Sequence, residues 1–237
     1  MKLSSVLKVK RNDKKRRLMS LLFSVSGVLS ILFVLITFYG QQAGNFVMSV
    51  DYDAYKKGIV LSNTNTLIDP SPRLMTDPVY GARDMTYSWL KIEEVSEADG
   101  NYKDPDYDYV AYTFYLTNNG FQPADIIYHI RITDSYKEMN DAIRVLVIED
   151  EEKTIFQKPD NYEGSVPIAY TQPLQNSQHF LSETIVMRKT LTDFKPGEIR
   201  KFSVIVWIEG TDPDTTDDIL GGMIKLQMNF SIQSDYS

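Results

Sequence analysis

The chain has 237 residues, no cysteine and a formal net charge of −7, from 25 basic and 32 acidic residues. Without cysteine there is no disulfide, no thiolate metal site and no cysteine nucleophile. The acidic balance argues against nucleic acid, since phosphate binding needs a basic surface, and against flat attachment to anionic lipid.

The charge is unevenly spread. The first 17 residues hold eight basic side chains (Lys2, Lys8, Lys10, Arg11, Lys14, Lys15, Arg16, Arg17) against one acid, Asp13. Leu18 to Tyr39 follows as 22 residues without a charge. A helix of that length rises about 33 Å, enough to cross a bilayer's hydrocarbon core. The positive-inside bias keeps the basic end in the cytoplasm and exports everything after Gly40. The expected organisation is a basic cytoplasmic segment over 1–17, a transmembrane helix or signal-anchor over 18–39, and an extracellular domain over 40–237. That domain carries 17 basic and 31 acidic residues, a net charge of −14 that the whole-chain value conceals. A cleaved signal peptide is the alternative. Signal h-regions usually run about 7 to 15 residues and end in a small-x-small site. This run is longer and the site around Ala43 is poor, which favours a retained anchor.

Beyond Gly44 the pattern is that of strands. Phe46 to Val50 reads as a first strand, the stretch ending at Gly58 turns the chain, and Ile59 to Leu61 returns. Residues 62–84 read as a long surface connection. Met85 to Val95, with Trp89, reads as a buried segment, and 97–108 as an acidic loop. From Tyr109 to Leu116 the chain alternates, with Val110, Tyr112, Phe114 and Leu116 on one face. Asn118-Asn119-Gly120 and Pro123 form a turn before a strand from Ile126 to Thr133. Asp134 to Ala142 holds one helical turn capped by Ser135 or Asp134. Ile143 to Ile148 and Thr154 to Gln157 form a hairpin, residues 158–178 a second long loop, and Phe180 to Leu191 a bulged strand. Phe194 to Glu198, with Pro196 and Gly197, is a turn. Phe202, Val204, Val206 and Ile208 then share one face. Ile224, Leu226, Met228, Phe230 and Ile232 share another, opposite polar residues. The expected fold is all-β, a two-sheet β-sandwich of about eight to ten strands behind one N-terminal transmembrane helix.

Catalytic signals are sparse. His129 and His179 have no metal-ligand spacing, and His-Glu-x-x-His, Gly-x-Ser-x-Gly and phosphate-cradling glycine loops are missing. Gly221-Gly222 reads as a tight turn. The densest polar cluster is the stretch from Glu209 to Asp218. Glu209, Asp212, Asp214, Asp217 and Asp218 could converge on Ca²⁺, which takes six to eight oxygen ligands. The spacing is not that of an EF-hand, and Thr215, Thr216 or Asp217 capping a short helix at 218–220 explains the same residues. Asp99 to Asp108 reads as a solvated loop, and the 15 tyrosines suit sheet propensity or a recognition face. No cofactor other than Ca²⁺ is expected.

Two features together resemble a known group. A basic N-terminus and apolar helix run into Gly44-Asn45-Phe46-Val47-Met48-Ser49-Val50. Near the other end stand Trp207-Ile208-Glu209-Gly210-Thr211-Asp212-Pro213-Asp214, Asp217-Asp218-Ile219-Leu220-Gly221-Gly222 and Asn229-Phe230-Ser231-Ile232. This resembles the TasA/camelysin group of exported proteins of Gram-positive-type bacteria and their "alternate signal" relatives. The resemblance implies a jelly-roll-like sandwich on the cell surface or in the biofilm matrix. It also implies a leader removed by a specialised signal peptidase and assembly by strand addition, in which Phe46, Val47, Met48, Ser49 and Val50 would complete the sheet of a neighbouring subunit. Camelysin is described as a metalloprotease, but no motif here supports that activity. The longer apolar run and the missing small-x-small site depart from the group.

Three functional expectations follow. The first is a non-enzymatic, membrane-anchored surface protein with a structural or binding role, its partner a cell-surface protein or further copies of itself. The second is a cleaved fibre subunit, and the third, resting on the acidic loop alone, is a metal-dependent hydrolase.

Overall fold

The computed structural model describes residues 3–41, 44–160 and 170–233, with side chains in the N-terminal helix described over 15–34. Ala43 and residues 161–169, part of the expected 158–178 loop, therefore lie outside the described residues. The chain forms two compact units, Met1–Ala43 and Gly44–Ser237.

The first unit is one helix, α1 (Leu3–Gln41). Its stretch Lys15–Val34 has a mean hydropathy of 2.0 and none of it is buried. Length and composition suffice to cross a membrane, as they would for a signal sequence. Ser24 and Ser30 donate their hydroxyls to the carbonyls of Ser20 and Ser26, so these polar groups are satisfied within the helix.

The second unit opens with β1 (Phe46–Val50), α2 (Tyr52–Lys56), β2 (Ile59–Ser62) and β3 (Arg73–Met75). Gly58 turns α2 into β2 at φ +95°, and a Cβ there would lie 2.3 Å from the Gly120 nitrogen, so only glycine fits. The next elements are α3 (Ile92–Glu97), β4 (Gly100–Asn101), β5 (Val110–Asn118) and β6 (Ala124–Tyr136). The side chain of Asn118 closes the turn between these last two strands. It donates to the carbonyls of Gln122 and Phe194 and accepts from the Gly120 N–H. The remainder is α4 (Met139–Ala142), β7 (Ile143–Glu149), β8 (Glu152–Gln157), β9 (Gln178–His179), β10 (Ile185–Phe194), β11 (Ile199–Ile208) and β12 (Met223–Ile232).

These strands make two mixed sheets. One has five strands in the order β10-β6-β12-β1-β3; the other has seven, β2-β5-β11-β7-β8-β9 with β4 also paired to β5. Most neighbours are antiparallel, but β1 runs parallel to β12 and β8 parallel to β9. The sheets share a core to which both contribute. At its centre Phe114, Tyr128, Phe202 and Phe230 pack with ring centroids 5.3 to 6.1 Å apart. Edge-to-face and offset contacts of this kind add to simple area burial. The Tyr128 hydroxyl, at the core's margin, donates to Glu149 at 2.6 Å.

The seven-stranded sheet has a second core on its other face. Ala111, Leu146, Ile148, Ile155, Ile205 and Trp207 lie there beneath Met85, Leu90, Ile92 and Val95. Residues 85–109 thus form a cap over the sheet. Thr113 fastens it by donating to the Val95 carbonyl at 2.6 Å, and Tyr115 by donating to Asp99 at 3.0 Å.

Several expectations need correction. The described residues contain twelve strands, not eight to ten. The extra ones, β3, β4 and β9, are two or three residues long and arise from tertiary pairing, not from any alternation. The 62–84 connection therefore contains β3, and the 97–108 loop contains β4. Trp89, expected to be buried, is 47% exposed, because the cap is held by Leu90, Ile92 and Val95. The strand expected from Phe180 begins at Ile185, after a turn in which the Ser182 N–H donates to the Ile185 carbonyl. The helical turn near Asp134 begins at Met139, since β6 continues to Tyr136, and its N-cap, Glu138, makes no side-chain cap bond.

Candidate functional site

The acidic stretch begins where β11 ends. Backbone bonds between Met85 and both Ile208 and Gly210 hold its start against the cap. Glu209 is fully buried, which an unpaired carboxylate could not tolerate. One of its oxygens accepts from the Trp207 Nε1 at 2.9 Å, and the other from the Thr211 N–H and hydroxyl at 3.2 and 2.8 Å. Both oxygens are thus engaged by the fold.

Asp212 is also buried and pairs with Arg144 of β7, whose side chain is wholly enclosed. Its other oxygen accepts from the Asp214 N–H at 2.8 Å. Burial pushes the Asp212 carboxyl above the usual carboxylate range, outweighing the Arg144 guanidinium and the Asp214 N–H, which pull it down. The network extends through Tyr170. Arg144 donates to the Tyr170 hydroxyl at 3.3 Å and lies over its ring at 5.4 Å, and that hydroxyl donates to Asp160 at 3.0 Å. Burial, reinforced by Asp212, raises the Tyr170 phenol, so it stays a donor across the neutral range.

Of the five carboxylates expected to converge, only Asp212 and Asp214 approach one another, joined by Asp160. One oxygen of each lies within 4.8 Å of the others. Asp217 and Asp218 stand exposed on a 3-10 turn over 217–219, where the Thr216 hydroxyl accepts from the Asp218 N–H at 3.3 Å. The Asp160, Asp212 and Asp214 group could hold a cation only if carbonyls and water supplied further oxygens. Arg144 already neutralises part of its charge.

The histidines do not meet. His129 lies on β6 of the five-stranded sheet, and His179 on β9 of the other. Burial, with help from Arg188 and Arg131, lowers the His129 pKa and keeps it neutral. The expected donated strand is placed within its own domain, between β12 and β3. Phe46 and Met48 are fully buried, while Ser49 donates to Asn229 at 3.0 Å and accepts from Gln227 at 2.9 Å.

Sequence reasoning did not single out Asp160, Arg144 or Tyr170. One signal was available: Arg144 is the only charge in the apolar run from Ile143 to Ile148, and a charge on a buried strand demands a partner.

The domain is thus a two-sheet β structure behind an apolar N-terminal helix, with a buried ion-pair network and no gathered catalytic set among the described residues. No family model matches the chain, and no curated protein matches it. The solved structure of a β-glucosidase from Kluyveromyces marxianus in complex with glucose is similar at a TM-score of 0.21 and 11% identity, over 72% of this chain and 15% of that one. The chain spans a small part of that protein's length, and so distant a likeness carries no argument about fold or activity.

Proposed function

We propose that the chain is a single-pass membrane protein whose acidic β-sandwich works outside the cell in a structural or binding role without catalysis. The observation that carries this is the apolar stretch Lys15–Val34 within α1, led by basic residues and followed directly by the folded unit from Gly44. The basic side chains favour a cytoplasmic N-terminus, and a net charge of −14 favours a soluble exported domain. The jelly-roll-like arrangement comes from the resemblance. Mostly antiparallel pairing agrees with it, and the parallel β1–β12 pair departs from it.

A second reading is favoured by one feature. β1 is a short strand near the start of the folded unit, yet it occupies an interior position between β12 and β3. Freed from its own slot, Phe46 to Val50 could fill the same slot in another copy, making a fibre subunit by strand addition. Sequencing the N-terminus of the mature protein separates the two. An intact Met1 in the membrane fraction supports the anchor; a start between residues 40 and 46 in the medium overturns it in favour of the cleaved subunit.

A further inference from the structure

The cap over the seven-stranded sheet carries a feature that neither reading uses. Trp89 is 47% exposed, and its ring stacks on Tyr107 with centroids 5.2 Å apart and planes inclined by 22°. Tyr107 packs on the second core beneath it, so the pair is supported from below. Asp106 and Asp108, both exposed, flank Tyr107, and Glu93 and Glu94 project from the adjoining α3. The Tyr102 hydroxyl donates to Glu94 at 2.6 Å, and its phenol is raised by burial, by Glu94 and by the charges of Asp104 and Asp106. Those acids therefore act on one patch of the cap. Glu97 and Asp99 extend the exposed acidic surface, which Lys91 and Lys103 offset only in part.

Elsewhere this domain places its own cations over ring faces. Lys56 lies over Tyr52 at 4.4 Å, Lys137 over Tyr136 at 6.0 Å, and Arg144 over Tyr170 at 5.4 Å. Among the described residues no lysine or arginine lies over Trp89 or Tyr107. Tryptophan is the best ring for a cation, and exposed tryptophan and tyrosine serve as interface anchors.

We infer that the Trp89–Tyr107 platform, with the exposed acids Asp106 and Asp108 on either side of Tyr107 in the chain and Glu93 and Glu94 on the helix that follows Trp89, is a docking site for a cationic, arginine- or lysine-bearing peptide segment. Charge complementarity selects this occupant. Nucleic acid and anionic lipid would be repelled, and a second copy of an exported domain at net charge −14 would meet like charge. A guanidinium can stack on the indole while its N–H groups reach a carboxylate, which joins ring and charge recognition in one residue.

The test uses the full chain in zwitterionic nanodiscs and a fluorescent nona-arginine peptide at physiological salt. Trp89→Ala should weaken binding about threefold to fivefold, with Trp89→Phe recovering part of the loss. Asp106→Asn/Asp108→Asn should weaken it comparably. Asp217→Asn/Asp218→Asn, an equal change of charge at the far end of the acidic loop, should leave it near wild type. Equal losses from the two double variants, or unchanged binding by Trp89→Ala, would overturn the site. So would binding of a neutral hexasaccharide that depends on Trp89 while nona-arginine binding does not, since the occupant would then be a glycan. Melting curves matched to wild type exclude loss of folding as the cause.

Discussion

The two sheets bury their faces in different ways. In the five-stranded sheet, β1 and β12 alternate buried with half-buried residues, and the outward face carries Lys225, Gln227, Asn229 and Ser231. In the seven-stranded sheet, every residue of β5 is buried and β7 is buried up to Glu149. One sheet is covered once and the other twice, the second cover being residues 85–109. The chain thus spends a long, weakly periodic segment on hiding an apolar face that would otherwise be an aggregation hazard.

If the shared core carries the fold and the second core only a cover, truncation should separate them. Phe202→Ala removes a ring at the centre of the shared aromatic cluster and should cost about 3–5 kcal/mol in chemical denaturation. Arg144→Ala should cost a similar amount, because it leaves Asp212 buried without its partner. Replacing both as Arg144→Met/Asp212→Leu should recover much of that loss. A single-residue cost from Arg144→Ala below about 1 kcal/mol would mean the pair is not enclosed in solution.

Leu90→Ala, in the cap, should cost less, about 2 kcal/mol, at the low end for a buried leucine because the site lies near the surface. The difference should appear in hydrogen exchange. Amides from Met85 to Tyr109 should lose protection while those of β11 and β12 keep theirs. Uniform loss across both sheets would erase the distinction between core and cover.

The same contrast explains what could be read from residue order alone. The alternation from Ile224 to Ile232 announces a strand with one dry face, and the structure places it so. The strand around Val110 to Leu116 also alternates, but alternation does not tell which face is dry, and the second face, with Tyr109, Ala111 and Thr113, is as buried as the first because the cap covers it. Trp89 illustrates the converse: a tryptophan near Leu90 and Val95 suggests burial, and only the packing of the cap turns its ring outward. The acidic loop was legible as chemistry but not as geometry. Glu209 is engaged by Trp207 and Thr211, each two positions away, whereas Asp212, beyond its local bond from the Asp214 N–H, pairs with Arg144 of β7, which leads on to Tyr170 and Asp160, all remote in sequence. Long-range pairing of that kind leaves no periodic trace, although the lone charge at Arg144 marked one end of it.

Alkaline pH offers a gentler probe of the cover. Tyr115 reaches from β5 to Asp99, joining sheet to cap through a neutral phenol, while Tyr109 donates to Asp104 within the cap itself. Burial, then the hydrogen bond and charge of Asp99, push the Tyr115 phenol from 10.0 up to about 12. A phenol raised on folding binds its proton more tightly in the folded state. Its contribution is complete below about pH 10 and is lost as pH rises through about 12. Tyrosinate absorbance and exchange at residues 85–109 should therefore rise together above pH 10. Tyr115→Phe should flatten this dependence without moving the midpoint of neutral denaturation by more than about 1 kcal/mol.

The smallest expected effect lies where the doubly covered sheet runs out into the acidic loop. Asp160, Asp212 and Asp214 bring three carboxylate oxygens within 4.8 Å, fewer than calcium requires, and Arg144 already holds Asp212. Binding that stabilises the folded state by even 2.7 kcal/mol needs ligand at about a hundred times its dissociation constant. Millimolar calcium should accordingly leave the melting midpoint within about 1 °C, since a site this partly neutralised would have to bind far tighter than millimolar to register. A larger rise that disappears in Asp160→Asn would show that calcium engages the group despite Arg144. The loop would then be a metal site, and the buried ion pair its competitor, not its substitute.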